Sequence, residues 1–505
     1  MKLTNSAQMR EIDRYAIEVM GIPGVTLMSN AAQHIASAAM ERMPDGGNVS
    51  VFCGTGNNGG DGVGAAVLLK SKGYKVRVFL IGDANKLSKD SREMLKRLEY
   101  IGGSVEAFFE SYELIGWLSI CGVVIDAIFG IGLNAGLQGD ALVAAEMINS
   151  SPAYVIAADI PSGVHADSGA IPSYAVKADL TITFSLAKPG HFINPGSTHC
   201  GEIRILDIGI PAELLSEAVS KVFAILPEDI KLPRRKPSSH KGDYGRCLIV
   251  SGSVGYTGAP ALCALAASKM GAGLVYLGVP EQIYSIIATK LIEEMPFPLP
   301  GDKLGRLTAN SAGELLRRAA ESDVCLIGPG LGLSDETVSL VRSVIPIVKA
   351  PLVLDADAIN ALASDVDHLH KAAGPVILTP HHGEFVRLVG NVPSGERLRT
   401  ARSFAKQYNC YLVLKGHRTI IATPDGTAYI NTTGGPSMAK AGTGDVLAGM
   451  IAALIGQKLQ IKDALIAAVH LHGQAGDICA TKNGEYSVTA TDIITTLPEA
   501  IHTVT

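Results

Sequence analysis

Two short runs place glycines and an acid where an apolar helical pattern begins. In AGTGDVLAG, residues 441–449, Gly442, Gly444 and Asp445 sit at such a start. In GTGNNGGDG, residues 54–62, the glycines follow a strand-like run and open into the helix-like GVGAAVLLK. Glycines at a helix N-terminus let backbone N–H groups approach an anion, and the helix dipole adds partial positive charge there. No G-K-[ST] follows the glycines of the 441–449 run, so it is not a Walker A loop. Backbone N–H groups from Ala441 to Gly444 would hold a phosphate directly. Asp445 would then stand beside that anion, an electrostatically costly place for an acid. As a cap it would contribute about 1 kcal/mol. A proton-accepting role accounts for it better.

In the earlier run, Gly54, Gly56 and Gly59 fit G-x-G-x-x-G, a pattern that serves a tight structural turn as well as a dinucleotide site. The polar insertion of Asn57, Asn58 and Asp61 is unusual where small residues normally clear space for pyrophosphate. Two later strand-like runs end on acids. VVIDAIFGIGLNAG carries Asp126 and then glycines 130, 132 and 136; VIAADIPSGV carries Asp159 and then Pro161, Ser162 and Gly163. Ligands of open parallel sheets collect at the carboxyl ends of strands, so these loops would share a cleft.

The elements that must position these residues alternate. Ile12, Tyr15, Ala16 and Val19 recur at helical spacing, and residues 26–43 read as an alanine-rich helix. Strand-like runs follow at 49–53 and 75–82 and in GVVIDAIFG, AYVIAADIP and DLTITFS. Near Leu226 the texture changes to LPEDIKLPRRKPSSHKGDYG, a proline-rich, basic linker. The alternation restarts with RCLIVSG and LVYLGVP and continues through DVCLIGPG, PLVLDADA, PVILTPHHGE and CYLVLKGHRTII. The last helices should begin near Ala441, Lys462 and Thr491. An α/β protein of two domains is expected, residues 1–225 and 226–505, the first a doubly wound, mostly parallel sheet.

At 505 residues the chain exceeds one ordinary core, and a formal net charge of -5 argues against a general binder of nucleic acid or membrane surfaces. Eight scattered cysteines without a C-x-x-C pair suit reduced thiols in a cytoplasmic protein. The polar opening MKLTNSAQMREIDRY carries no signal-peptide pattern, and no apolar run is long enough to span a membrane. His470-x-His472 lies on a helical run, where positions two apart diverge, so chelation by that pair is not expected.

GTGNNGGDG, DAIFGIG and DIPSG resemble the NAD(P)H-hydrate epimerase domain over residues 1–225. The resemblance implies a Rossmann-like domain interconverting the R and S hydrates of the reduced nicotinamide ring. It implies a potassium ion (K+) held by Asn58, Asp126 and Ser162, and substrate contacts from Asn57, Gly59, Gly60, Asp61, Gly130, Gly132 and Asp159. Asp159 is the candidate acid/base; Lys188 is a second candidate or a solvated lysine.

AGTGDVLAG resembles the G-x-G-D anion hole of ribokinase-like kinases. With LTPHHGEF and KGHRTII it is similar to the NAD(P)H-hydrate dehydratase branch of that superfamily, over residues 226–505. The kinases usually carry N-x-x-E where this chain has His381-x-x-Glu384, which favours the dehydratase. This resemblance implies that Asp445 takes the proton of the C6 hydroxyl as it attacks the terminal phosphoryl of ADP. That transfer would release AMP, and elimination of phosphate would then restore the dihydronicotinamide. Lys415, Gly416, His417, Arg418 and Thr419, with Gly442, Thr443 and Gly444, would hold the nucleotide. Ala272, Gly330, His381 and Asp445 would contact the hydrate, and Glu384 is a candidate magnesium (Mg2+) ligand. The partners implied are NADHX, NADPHX and ADP, in a homo-oligomer. Rival readings are a small-molecule kinase fused to a Rossmann-like domain, a first half that only binds nucleotide or holds subunits together, and a nicotinamide dehydrogenase.

Overall fold

The computed structural model describes residues 1–133, 135–393 and 395–504, and these divide into two units, Lys2–Val222 and Phe223–Thr505 together with Met1. The first unit is built on strands β1 (Asn48–Cys53), β2 (Lys75–Leu80), β3 (Val105–Ala107), β4 (Val123–Ala127), β5 (Tyr154–Ala158), β6 (Leu180–Phe184) and β7 (Glu202–Leu206). Their order is β3-β2-β1-β4-β5-β6-β7, every pair parallel. Strands buried on both faces read as continuous apolar runs, and all five residues of VVIDA are buried in β4. Asp126 is the polar exception in that strand and must find partners there.

The helix Asn57–Ser71 packs closely against this sheet because its first turns are made of glycine and alanine. A Cβ on Gly62 would lie 2.6 Å from the Ala127 Cβ, and one on Gly64 would lie 2.7 Å from the Ala32 Cβ of the helix Gly24–Arg42. Two of the fingerprint glycines are likewise set by close approach. A Cβ on Gly54 would lie 2.0 Å from the Ile128 carbonyl oxygen, and one on Gly59 would lie 1.9 Å from that of Gly54. Only Gly56 of the three faces open space.

The second unit holds a sheet of β8 (Val222–Ala224), β9 (Arg246–Val250), β10 (Leu274–Pro280), β11 (Met295–Leu299), β12 (Val324–Ile327), β13 (Leu352–Leu354), β14 (Val376–Leu378), β15 (Tyr411–Leu414), β16 (Ile420–Ala422) and β17 (Ala428–Ile430). The order is β11-β10-β9-β12-β13-β14-β15-β16-β17-β8, parallel from β11 to β15 and antiparallel from β15 to β17. Its central helix, Thr443–Gly456, is buried at every residue from Val446 to Gly456, as expected of a helix apolar on all sides. It approaches the helix Gly258–Lys269 so closely that a Cβ on Gly449 would lie 2.2 Å from the Cys263 carbonyl oxygen.

All eight cysteines are buried. Among the described residues, no helix is long and apolar enough to cross a membrane.

Candidate active sites

At the carboxyl ends of β1, β4 and β5 the first unit encloses a cavity of ≈ 580 Å³. Asn57, Asn58, Asp61, Gly130, Gly132 and Asp159 all line it, so the loops after these strands converge as the strand-end argument requires. Gly59 and Gly60 do not line the cavity. Their side-chain space is filled by the Gly54 backbone and by Met28 and Ser91; the Gly60 N–H donates to the Gly56 carbonyl at 3.2 Å, so only Gly59 can offer a ligand a first-turn backbone N–H.

Asp159 directly follows β5 with φ 65, in the left-handed region. Its Oδ1 accepts from Lys188 Nζ at 2.5 Å and from Thr183 Oγ1 at 3.0 Å. Lys188 also donates to Thr183 Oγ1 at 2.9 Å, and its side chain is only 1% exposed. The alternative of a solvated lysine is therefore corrected: the chain folds Lys188 inward against the carboxylate. His191 braces the pair by accepting from the Lys188 N–H at 3.1 Å through Nδ1 and donating through Nε2 to the Asp159 carbonyl at 2.8 Å. Burial, reinforced by Lys188, pushes the His191 pKa down to about 4, so the ring is neutral.

Burial pushes the Asp159 carboxyl up, but the Lys188 ammonium outweighs it and holds the group below its ordinary value. Two neighbouring acids behave in the opposite way. Burial, with Asp159 and Asp13 nearby, pushes Asp61 well up. Burial raises Asp13 to about 6, with Lys188 opposing and Asp159 adding to the rise. Asp13 lies on the helix Ser6–Glu18 and gave no signal in the sequence beyond a polar position on an amphipathic helix.

Asp126 is buried beneath the cavity. Its Oδ1 accepts from Ser162 Oγ at 2.6 Å, and its Oδ2 accepts from the Ser162 N–H at 2.8 Å. Burial raises it to about 6, opposed by these hydrogen bonds. Both amide atoms of Asn58 are buried without a partner, an arrangement that costs free energy unless a ligand supplies one. A Cβ on Gly130 would sit 3.2 Å from Asn58 Oδ1 and 3.3 Å from Asp159 Oδ2, so this glycine keeps the space before both oxygens clear.

In the second unit, Asp445 lies in the first turn of Thr443–Gly456, with Gly442 at the N-cap in the left-handed conformation, φ 92. Lys415, directly after β15, donates through Nζ to Asp355 Oδ1 at 2.7 Å, and Thr379 Oγ1 donates to the same oxygen at 2.7 Å. A Cβ on Gly444 would lie 3.4 Å from Lys415 Nζ, so the lysine faces the glycine loop. Burial and the nearby Asp355 push Asp445 up to about 7, with Lys415 opposing. Asp355 directly follows β13 within PLVLDADA, a strand-end acid of the same kind as Asp126 and Asp159, and that pattern was the signal that could have found it.

Gly416, His417, Arg418 and Thr419 form the turn between β15 and β16. Arg397 clamps this turn by donating to the Leu414, Lys415 and His417 carbonyls at 3.0, 2.8 and 3.2 Å. His381 and Glu384 form a reciprocal capping box at the start of His382–Val389. His381 Nδ1 accepts from the Glu384 N–H at 3.2 Å, and Glu384 Oε2 accepts from the His381 N–H at 2.8 Å. Gly330, with φ 65, follows β12, and Ser253 Oγ donates to its carbonyl at 2.8 Å. Thr443 Oγ1 donates to the Met438 and Lys440 carbonyls, fixing the loop before the helix. Ala272 precedes β10, at the amino ends of the strands, and is not brought together with the others.

An acid and a buried lysine at the carboxyl ends of parallel strands, once in each unit, define a two-site α/β enzyme. Residues 247–499 match the family described as NAD(P)H-hydrate dehydratase, and residues 24–190 match the YjeF-related protein N-terminus. The chain is 40% identical over 512 residues to the bifunctional NAD(P)H-hydrate repair enzyme Nnr of Moorella thermoacetica, covering 99% of this chain and 96% of that one. It is 33% identical over 499 residues to the enzyme of that name from Escherichia coli K12, covering 98% and 92%. A solved ADP/ATP-dependent NAD(P)H-hydrate dehydratase from Bacillus subtilis, co-crystallized with ATP/Mg2+, is 32% identical with a TM-score of 0.46, covering 54% of this chain and 95% of that one. The chain belongs to the family of bifunctional NAD(P)H-hydrate repair enzymes.

Proposed function

We propose that the first unit interconverts the R and S hydrates of NADH and NADPH at the Asp159–Lys188 cavity. The second unit then dehydrates the S form at Asp445, consuming ADP and releasing AMP and phosphate. The observation that carries this reading is the setting of Asp445. Its carboxyl stands in the first turn of a helix whose N–H groups suit an anion, with a pKa pushed up to about 7. A general base works best when its pKa lies near the operating pH. Lys415, beside the glycine loop, supplies positive charge for the transferring phosphoryl group.

The donor set of the first unit fits a potassium ion. The orphaned Asn58 amide oxygen, the buried Asp126 carboxylate and Ser162 are hard oxygen donors. A cation there would hold Asp126 ionised against its burial and help order the loops that bear Asn58 and Ser162. Magnesium would enter with the nucleotide phosphates, retaining water and needing few protein ligands. Both Glu384 oxygens already face His381, at 2.8 Å from its N–H and 3.3 Å from its Nε2. Glu384 therefore serves first to hold the helix start.

The test is recovery of dihydronicotinamide absorbance from a mixed R and S NADPH hydrate, with magnesium and either ADP or ATP. Complete recovery with ADP is expected, stopping near the S fraction in Asp159→Ala and absent in Asp445→Asn. No recovery with either nucleotide would return the second unit to the small-molecule kinases.

A further inference from the structure

The cavity of the first unit holds more acid than its chemistry has yet used. Asp13, Asp61 and Asp159 all line it, together with the buried ammonium of Lys188. Lys188 is committed to Asp159 Oδ1. Carboxyl groups crowded into one poorly solvated site cannot all ionise, so the uncompensated ones retain protons. The groups facing Asp13 across the cavity are Asp61 from the helix Asn57–Ser71, Asp90 from the helix Lys89–Tyr100, and Asp159 with Lys188. Arg10, on the helix of Asp13, also lines the cavity, and its guanidinium is engaged there by the Ile131 carbonyl at 3.1 Å. Asp159 and Asp13 reach the cavity from different elements, a strand end and a helix face.

Inversion at C6 of a hydrated dihydronicotinamide by loss and return of the hydroxyl uses two proton-handling groups, since the hydroxyl leaves from one face and returns on the other. We propose that Asp13 is the second acid/base of the epimerase, paired with Asp159 across the cavity. This rests on the reading of the first unit as the hydrate epimerase.

In one direction, the C6–O bond breaks with its electron pair moving to oxygen, which takes the proton of Asp13 and departs as water. The lone pair of N1 forms the N1=C6 iminium. A water molecule adds to the opposite face, its proton passes to Asp159, and the pair returns to N1. No oxidant or reductant is needed, and the sum is inversion with one oxygen exchanged for solvent oxygen. One proton has moved from Asp13 to Asp159, and the reverse direction moves it back. Between successive turnovers in one direction, Asp61 and cavity water return it.

The test uses the full chain and separates the two claims. Epimerisation of purified R hydrate is followed in water enriched in oxygen-18, with Asp159→Asn as a parallel variant. Trp117, the chain's one tryptophan, lies in the first unit, so its fluorescence checks that each variant remains folded. Asp13→Asn is expected to slow epimerisation by about 100-fold or more. Asp13→Glu, which restores a carboxyl group, should recover at least about tenfold of that loss. The product of the unmodified chain should carry solvent oxygen.

If folded Asp13→Asn epimerises within about threefold of the unmodified chain while Asp159→Asn is inactive, this inference fails and the epimerase reading stands. Inversion without label would overturn the C–O cleavage step. If neither variant slows the reaction, the assignment of epimerisation to this cavity fails as well.

Discussion

Lys188 Nζ lies 2.5 Å from Asp159 Oδ1, with the lysine side chain 1% exposed and that of the aspartate 11%. An ion pair withdrawn from water is weak evidence of net stabilisation, but removing one partner leaves an uncompensated buried charge. The pair also keeps Asp159 ionised while its neighbours Asp13 and Asp61 are pushed towards the acid form.

Lys188→Met is therefore expected to destabilise the first unit by about 3–5 kcal/mol. Urea unfolding followed by Trp117 fluorescence would measure this. The sign of its pH dependence follows from the lowered pKa of Asp159. The contribution is present above the ordinary carboxylate value of 3.8 and is lost as pH falls through the lower folded value. Wild type and variant should converge only in strong acid.

At Asp445, activity and stability should move in opposite directions. With a carboxyl pKa near 7, dehydration should rise with pH through about 7 as the base loses its proton. Folding stability of the second unit should fall as pH rises from 3.8 to about 7, because the unfolded chain gives up this proton first. Asp445→Asn should abolish turnover yet be the more stable chain at pH 8, by about 1–3 kcal/mol. Calorimetry at pH 5 and pH 8 would decide it, and a variant less stable at pH 8 would contradict the raised pKa.

Gly54 and Gly56 stand two residues apart in one motif and should respond differently to alanine. A methyl on Gly54 would enter the Ile128 carbonyl at 2.0 Å, so Gly54→Ala should cost about 3 kcal/mol or more. Gly56→Ala meets nothing within 4 Å and should stay within about 1 kcal/mol of the parent. Equal losses by Trp117 fluorescence would mean that the loop is not packed as described.

Potassium should raise the thermal midpoint of the first unit and its epimerisation rate, relative to lithium at equal ionic strength. Asn58→Ala removes the orphaned amide and should abolish the ion-specific shift in the midpoint. A variant that keeps the full shift would remove Asn58 from the ion's donors.

Much of the architecture is legible in the sequence because parallel strands buried on both faces appear as bare apolar runs, as in VVIDA and YVIAA. What escapes lies at the sheet edges or, for β17, one strand in. β11 reads MPFPL, and its Pro296 and Pro298 argue against a strand anywhere but at an edge, which is where it lies. The acids at strand ends are legible because the β/α alternation puts them at ligand-binding crevices. Lys188 is legible only as a second candidate; its burial against Asp159 is not, since that partner is 29 residues distant and the following Pro-Gly suggests an exposed turn. Asp13 is hidden for a related reason. Its function depends on which helix face meets the cavity, and a polar residue on an amphipathic helix ordinarily faces water.

The left-handed backbone at Asp159 bears on the evolutionary history of the position. At φ 65 the chain accepts Asp, Asn or Gly far more readily than branched or bulky side chains. Loss of the carboxylate by drift would thus run first through Asn or Gly, which keep the turn while removing the charge. A descendant that had abandoned hydrate inversion could retain an intact cavity with one of those two residues at its centre. Such a protein would still enclose a nicotinamide-sized ligand, and selection could reuse it as a binding module without rebuilding the fold.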